Sequence, residues 1–144
     1  MSRFRETIEV GVPVRAAYEQ LTQFESYPEF MTGVKQVIQL SDTETHWVMD
    51  LDGQNREFDA RLTECRPDQK VAWQSTGGPL LHEQITLKRV AADRCQVIAE
   101  LEADAMALLP SDAHAQESLG RRLKADLYQF KNYVEQQVGP MHAI

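Results

Sequence analysis

The chain has 144 residues, 42% of them apolar and 26% charged, with fifteen basic and twenty-two acidic side chains and a net charge of −7. That length suits a single domain spanning 1-144. It lets roughly 68–70% of the unfolded chain's surface be buried without a disulfide or metal staple. The apolar fraction argues against a disordered or fibrous chain, and the acidic balance argues against nucleic acid and anionic membrane surfaces as partners.

The N-terminal stretch "MSRFRETIEV" alternates. Phe4, Glu6, Ile8 and Val10 share one parity and Arg3, Arg5, Thr7 and Glu9 the other, which is the period of a strand with one wet face. It lacks the apolar core of a signal peptide. In "GVPVRAAYEQLTQF" the period becomes helical, with Pro13 suited to the first turn and Val14, Ala17, Tyr18 and Leu21 on one face. Tyr27 precedes Pro28, which predicts a break there. A short second helix through Phe30 and Met31 would close at Gly33.

From Val34 to about Asp104 six strands follow one another, separated by turn signals at "SDTET", "DGQN", "PDQ", "GGP" and "AADR". Asp52-Gly53 is a hairpin signal. After Pro110, Ser111 or Asp112 can cap a long helix that Gly139-Pro140 should stop. Its apolar stripe is Leu119, Leu123, Leu127, Phe130, Val134 and Val138. No run reaches the ~18 apolar residues of a bilayer span. Cys65 and Cys95 lie far apart and form no secreted disulfide framework. A reduced, cytoplasmic protein is expected, without membrane insertion and as a monomer or weak homodimer.

The order predicts an α+β fold: a curved seven-stranded antiparallel sheet around a long C-terminal helix, with two short helices after the first strand. Three stretches carry a resemblance, "FESYPEFMTGVKQV", "HWVMDLDGQNREFDARLTECRPDQKVAWQSTGG" and "LKADLYQFKNYVE". On these the chain resembles the polyketide cyclase/dehydrase branch of the START-like (Bet v 1-like, SRPBCC) helix-grip superfamily. The resemblance implies a hydrophobic ligand cavity between sheet and helix. Members of that superfamily include aromatase/cyclases, coenzyme-Q-binding relatives and proteins with no established activity. It carries over no catalytic residue. "DAMALLPSDAHAQ" stands where relatives often have a Gly-rich segment that helps gate the cavity, so the segment 104–110 is expected either to open or to block it.

Strand parity sorts the side chains. Trp47, Met49 and Leu51 point one way and His46, Val48 and Asp50 the other. Phe58, Ala60 and Leu62 face inward, as do Val71, Trp73 and Ser75, Ile85 and Leu87, and Val97, Ala99 and Leu101. An apolar inward set with two tryptophans suits a solid core or a lined pocket, and the resemblance favours the pocket. Polar groups that could orient a guest are Arg56, Ser75, Glu83 and Gln116. Their bland alternatives are solvated strand ends and a wet first helical turn. Tyr27, Phe30 and Met31 would cap the core and form the cavity's lip, with Leu119 and Leu123 as the helical wall.

No metal site or cofactor is expected, because His46, His82, His114 and His142 lack ligand spacing and the cysteines form no C-x-x-C pair. The first functional expectation is a binder of an apolar, ring-containing small molecule. The alternatives are a polyketide-type cyclase/dehydrase, with Glu83 or Tyr27 as acid or base, and a protein-interaction module related to the coenzyme-Q-binding group. No catalytic constellation is expected.

Overall fold

The computed structural model describes residues 2–51, 53–78, 80–110 and 112–142, with the side chains of residues 51 and 138–142 left aside. Strand β1 (Ser2–Val10) is followed by α1 (Val14–Leu21) and a 3-10 helix (Phe24–Glu29). Six strands come next: β2 (Val34–Gln39), β3 (Glu44–Leu51), β4 (Gln54–Arg66), β5 (Lys70–Ser75), β6 (Leu81–Ala91) and β7 (Arg94–Ala103). Helices α2 (Ala105–Leu108) and α3 (Ala115–His142) complete the chain.

The seven strands form one antiparallel sheet in the order β1-β7-β6-β5-β4-β3-β2. Long strands in such a sheet twist and curl, and shifts in pairing between Leu62 and Glu64 and between Val34 and Gln36 add bulges that bend them further. Alternation then delivers Trp47, Ala60, Trp73, Ile85, Val97 and Leu101 to the concave face, all buried. Helix α3 covers that face with Leu119, Leu123, Leu127, Phe130 and Val134, also buried. The expected fold class is the observed one, a curved seven-stranded antiparallel sheet gripping a long C-terminal helix.

Two contacts hold α3 along β1. At Gly120 an added Cβ would lie 3.3 Å from the ring of Phe4, so a bare backbone allows the close approach. Farther along, Glu135 Oε2 accepts the Gly11 N–H at 2.7 Å, and Lys131 donates to the Glu9 carbonyl at 3.3 Å while pairing with Glu135.

Four local expectations are corrected. The chain does not break at Pro28, because the 3-10 helix runs through it. Proline's fixed φ suits that turn, and the Phe30 and Met31 N–H groups both close onto the Tyr27 carbonyl. Phe30 and Met31 therefore follow the helix instead of forming it. Segment 104–110, expected as a loop, contains α2, capped by Asp104 Oδ1 accepting from the Ala107 N–H at 3.2 Å. Helix α3 runs past Gly139-Pro140 to His142, since a proline in a final turn forfeits only one hydrogen bond. Pro13 stands one residue before α1 as its N-cap instead of in its first turn. Asp52 of the hairpin, Pro79 of the "GGP" turn and the cap candidate Ser111 lie outside the described residues, as do the side chains of Leu51, Val138 and His142. Asp112 accepts the His114 N–H at 2.7 Å just before α3 begins.

The 3-10 helix plugs one end of the grip with aromatic rings. Tyr27 is fully buried, with ring centres 5.5 Å from Phe24, 5.1 Å from Phe30, 5.6 Å from Trp47 and 5.7 Å from Trp73. Its hydroxyl donates to the Leu21 carbonyl at 2.6 Å, tying the end of α1 into the cluster. The Trp47 indole N–H is likewise satisfied, donating to Thr45 Oγ1 at 2.8 Å. Tyr27→Phe leaves the Leu21 carbonyl without its donor inside the core. We expect urea unfolding to show a loss of about 1–2 kcal/mol; an unchanged midpoint would mean that water replaces the hydroxyl.

Candidate functional site

Between the sheet and α3 the packing leaves a cavity of about 60 Å3. A water needs roughly 10–15 Å3 on that scale, so the resting space holds a few waters and is far below the roughly 300–1,000 Å3 of a drug-sized pocket. Trp47, Met49, Trp73 and Leu101 wall it from the sheet, Leu119 and Leu123 from α3, and Met31 from the end of the 3-10 helix. Leu81 and Leu108 also line it, and both line a larger outer cleft of about 500 Å3 with Arg56, Phe58 and the Thr76–Gly78 turn. The two leucines thus stand between the inner space and the outer cleft, with Leu108 supplied by α2.

One end of the cavity is polar. Glu83, facing Trp73 on one side and Leu101 on the other in the sheet register, is only 6% exposed. Asp126 and Arg122 reach the same cavity from one turn of α3, and Thr32 reaches it from the connection before β2. Asp126 Oδ1 accepts the Thr32 N–H at 2.8 Å. Burial pushes the Glu83 carboxyl up to about 8, and the charge of Asp126 pushes in the same direction. Asp126 is pushed up to about 6 by burial, opposed by its hydrogen bonds from Thr32 and by Arg122. At neutral pH the site therefore holds a neutral carboxylic acid on the sheet wall and an ionised carboxylate on the helix wall.

The structure brings together seven of the residues singled out from the sequence: Met31, Trp47, Met49, Trp73, Glu83, Leu119 and Leu123 line one cavity. Arg56 and Phe58 belong to the outer cleft, so Arg56 and Glu83 do not meet. Phe58 stacks on Trp47 with centres 5.9 Å apart. Ser75 Oγ accepts the Leu81 N–H at 3.0 Å, which commits it to the turn before β6. Tyr27 and Phe30 sit behind the cavity wall, Phe30 against Phe130 at 5.2 Å. Gln116 is exposed in the first turn of α3, pointing away from the core that its neighbour Ala115 enters.

Asp126 was missed, although a signal existed. It lies three residues after Leu123 and four before Phe130, at the edge of the apolar stripe, where a half-buried carboxylate calls for a partner or a cavity. His46 stands outside the grip, between Asp59 at 2.7 Å and Glu57 at 3.0 Å, as its outward parity indicated. Among the described residues no group of three or more His, Cys, Asp or Glu is placed to hold a metal ion.

The fold and this cavity invite comparison with known proteins. The family model for polyketide cyclase / dehydrase and lipid transport matches residues 10–125, from the last residue of β1 to the middle of α3. The chain belongs to that family. It is 40% identical over 140 residues to an uncharacterised 17.2 kDa protein of Streptomyces lincolnensis, covering 95% of this chain and 92% of that one. A START superfamily protein from Mycobacterium smegmatis shares the fold with a TM-score of 0.82 at 14% identity, over 94% of this chain and 98% of that one. The Zhui aromatase/cyclase from Streptomyces sp. R1128 does so with a TM-score of 0.74 at 17% identity, over 95% of each chain. At such identities the two structures establish the shared fold. Among the described residues no helix of this family member is long and apolar enough to cross a membrane.

Glu83 also makes stability depend on pH. Its carboxyl keeps its proton in the folded chain between the ordinary value of 4.5 and about 8, while the unfolded chain releases it. The stabilisation is thus complete below 4.5 and is lost as pH rises toward 8, on the order of 4 kcal/mol across the window. Asp126 adds the same sign at lower pH, up to about 6. Glu83→Gln, neutral at every pH, should flatten the upper part of this dependence in denaturation curves. An equal slope in wild type and variant would mean that Glu83 is ionised in the fold.

Proposed function

We propose that this chain binds an apolar, ring-containing small molecule between the sheet and α3. The observation that supports this reading most is the inner cavity itself, walled by two tryptophans, two methionines and leucines and carrying polar groups at one end only. Burial of rings against such walls favours binding at roughly 25 cal/mol per Å2 of apolar surface. Because the resting space is about 60 Å3, the guest enters by displacing side chains. Met31 and Met49 adapt their shape at low cost, and swinging Leu81 and Leu108 aside joins the inner space to the outer cleft. Both cysteines are free thiols, which suits a cytoplasmic binder.

Native mass spectrometry of freshly purified protein tests the binding, with extraction of whatever small molecule travels with it. A naphthoquinone serves as added probe, because contact with Trp47 and Trp73 should quench their emission. An apolar adduct lost on denaturation, together with saturable quenching, is expected. A bare protein mass combined with unchanged emission would sink the proposal.

One observation favours a second reading, an enzyme of cyclisation or dehydration. A neutral Glu83 and an ionised Asp126 face one cavity, the arrangement that general acid and general base require. On this reading turnover follows a bell-shaped pH profile between about 6 and about 8. Asp126→Asn would lower kcat by roughly 10²–10⁴, and kcat unchanged in that variant would remove Asp126 from the chemistry.

A further inference from the structure

Glu83 is 6% exposed, lines the cavity and has no hydrogen-bond partner among the described residues. A buried polar group left in that state costs free energy that a ligand can recover. Of its neighbours along the face and across the sheet, Leu81, Ile85, Trp73 and Leu101, only Trp73 carries a polar side-chain atom, and an indole N–H cannot accept the proton of a neutral carboxyl. We propose that Glu83 donates a hydrogen bond to an uncharged acceptor oxygen on the guest, and so selects apolar rings bearing a carbonyl over plain hydrocarbons and over carboxylate-bearing chains. This rests on the binding reading above and adds the chemical class of the guest.

The charges around the site favour that class over the alternatives. The groups facing Glu83 are Asp126 and Arg122 from α3 and Tyr27 from the 3-10 helix. Asp126 is ionised at neutral pH, so a second anion at this end meets repulsion, and Arg122 already holds a partner. A cationic guest would require Glu83 to give up its proton inside the cavity, against both burial and the Asp126 charge. A carbonyl requires neither. It takes the proton-bearing oxygen as a hydrogen-bond donor and leaves the carboxyl neutral, in the manner of a buried acid kept protonated to donate. Ionisation of Glu83 at high pH removes the donor, so affinity for a carbonyl should fall as pH rises past about 8.

Four naphthalenes of similar size separate the cases by calorimetric titration: 2-acetylnaphthalene, 2-isopropylnaphthalene, 2-naphthoate and 2-(aminomethyl)naphthalene. Below the Glu83 midpoint the acetyl compound should bind about tenfold more tightly than the isopropyl one. Above the midpoint that preference should shrink. Glu83→Gln, whose amide still donates, should keep the preference at both pH values. Glu83→Leu should abolish it while still binding the hydrocarbon, which also shows that the variant is folded. Equal affinities of the acetyl and isopropyl compounds in wild type would overturn the proposal, as would a preference that survives in Glu83→Leu. Tightest binding of the aminomethyl compound, strengthening with pH, would overturn it in favour of a cation site. Binding by none of the four would defeat the underlying binding reading, and the proposal with it.

Discussion

One helix has to cover the whole concave face of a seven-stranded sheet, and most of this structure follows from how incompletely it does so. Helix α3 lies along β1, fixed by the close approach at Gly120 and the Glu135 carboxylate on the Gly11 N–H. A helix set there packs along β1 and leaves a space farther across the sheet, bounded by Trp47 and Met49 of β3, Trp73 of β5, Glu83 of β6 and Leu101 of β7. The chain fills one end of that space with aromatic rings: Tyr27, Phe24 and Phe30 from the 3-10 helix and Trp47 and Trp73 from the sheet. At the other end, past Met31 and Met49, the filling stops and the cavity begins. The greasy corner after α1 is therefore a core plug whose outer edge is also a cavity wall.

Much of this could be read directly from alternation. A period of two assigns Trp47, Phe58, Trp73, Ile85 and Leu101 to one face regardless of sheet order, because a slip of one residue would turn them all to water. Glu83 shares that parity, and its burial follows. The helical stripe was equally legible, but the carboxylate beside it was not weighed. Asp126 lies at the edge of the stripe, half-buried beside Leu123, and a reading tuned to apolar residues passes over it. Gln116 erred in the opposite way, since its angle on the helix matched the stripe while its side chain is exposed in the first turn.

Volume was the property least accessible from sequence. Whether an apolar inward set makes a core or a pocket depends on the sum of many side-chain volumes against the curvature of the sheet, and local pattern specifies neither. The answer lies between the two, a small space bounded by movable leucines and methionines. The short helix α2 was hidden for a related reason: "DAMALL" is too brief for periodicity to register, and only the Asp104 cap marks its start. Yet it supplies Leu108, one of the two side chains between the inner space and the outer cleft.

At the centre of the cavity's chemistry is a carboxyl that is neutral because it is buried opposite another carboxylate. That state links the pH dependence of folding, the polarity of the cavity and the kind of guest it suits. The most direct measurement is a pH titration of the Glu83 side-chain carbon by carbon-13 NMR, with Glu83→Gln to assign the signal. A midpoint near 8, well above the ordinary 4.5, is the predicted result. A midpoint near 4.5 would contradict it, and would mean that the cavity carries two ionised carboxylates instead of one.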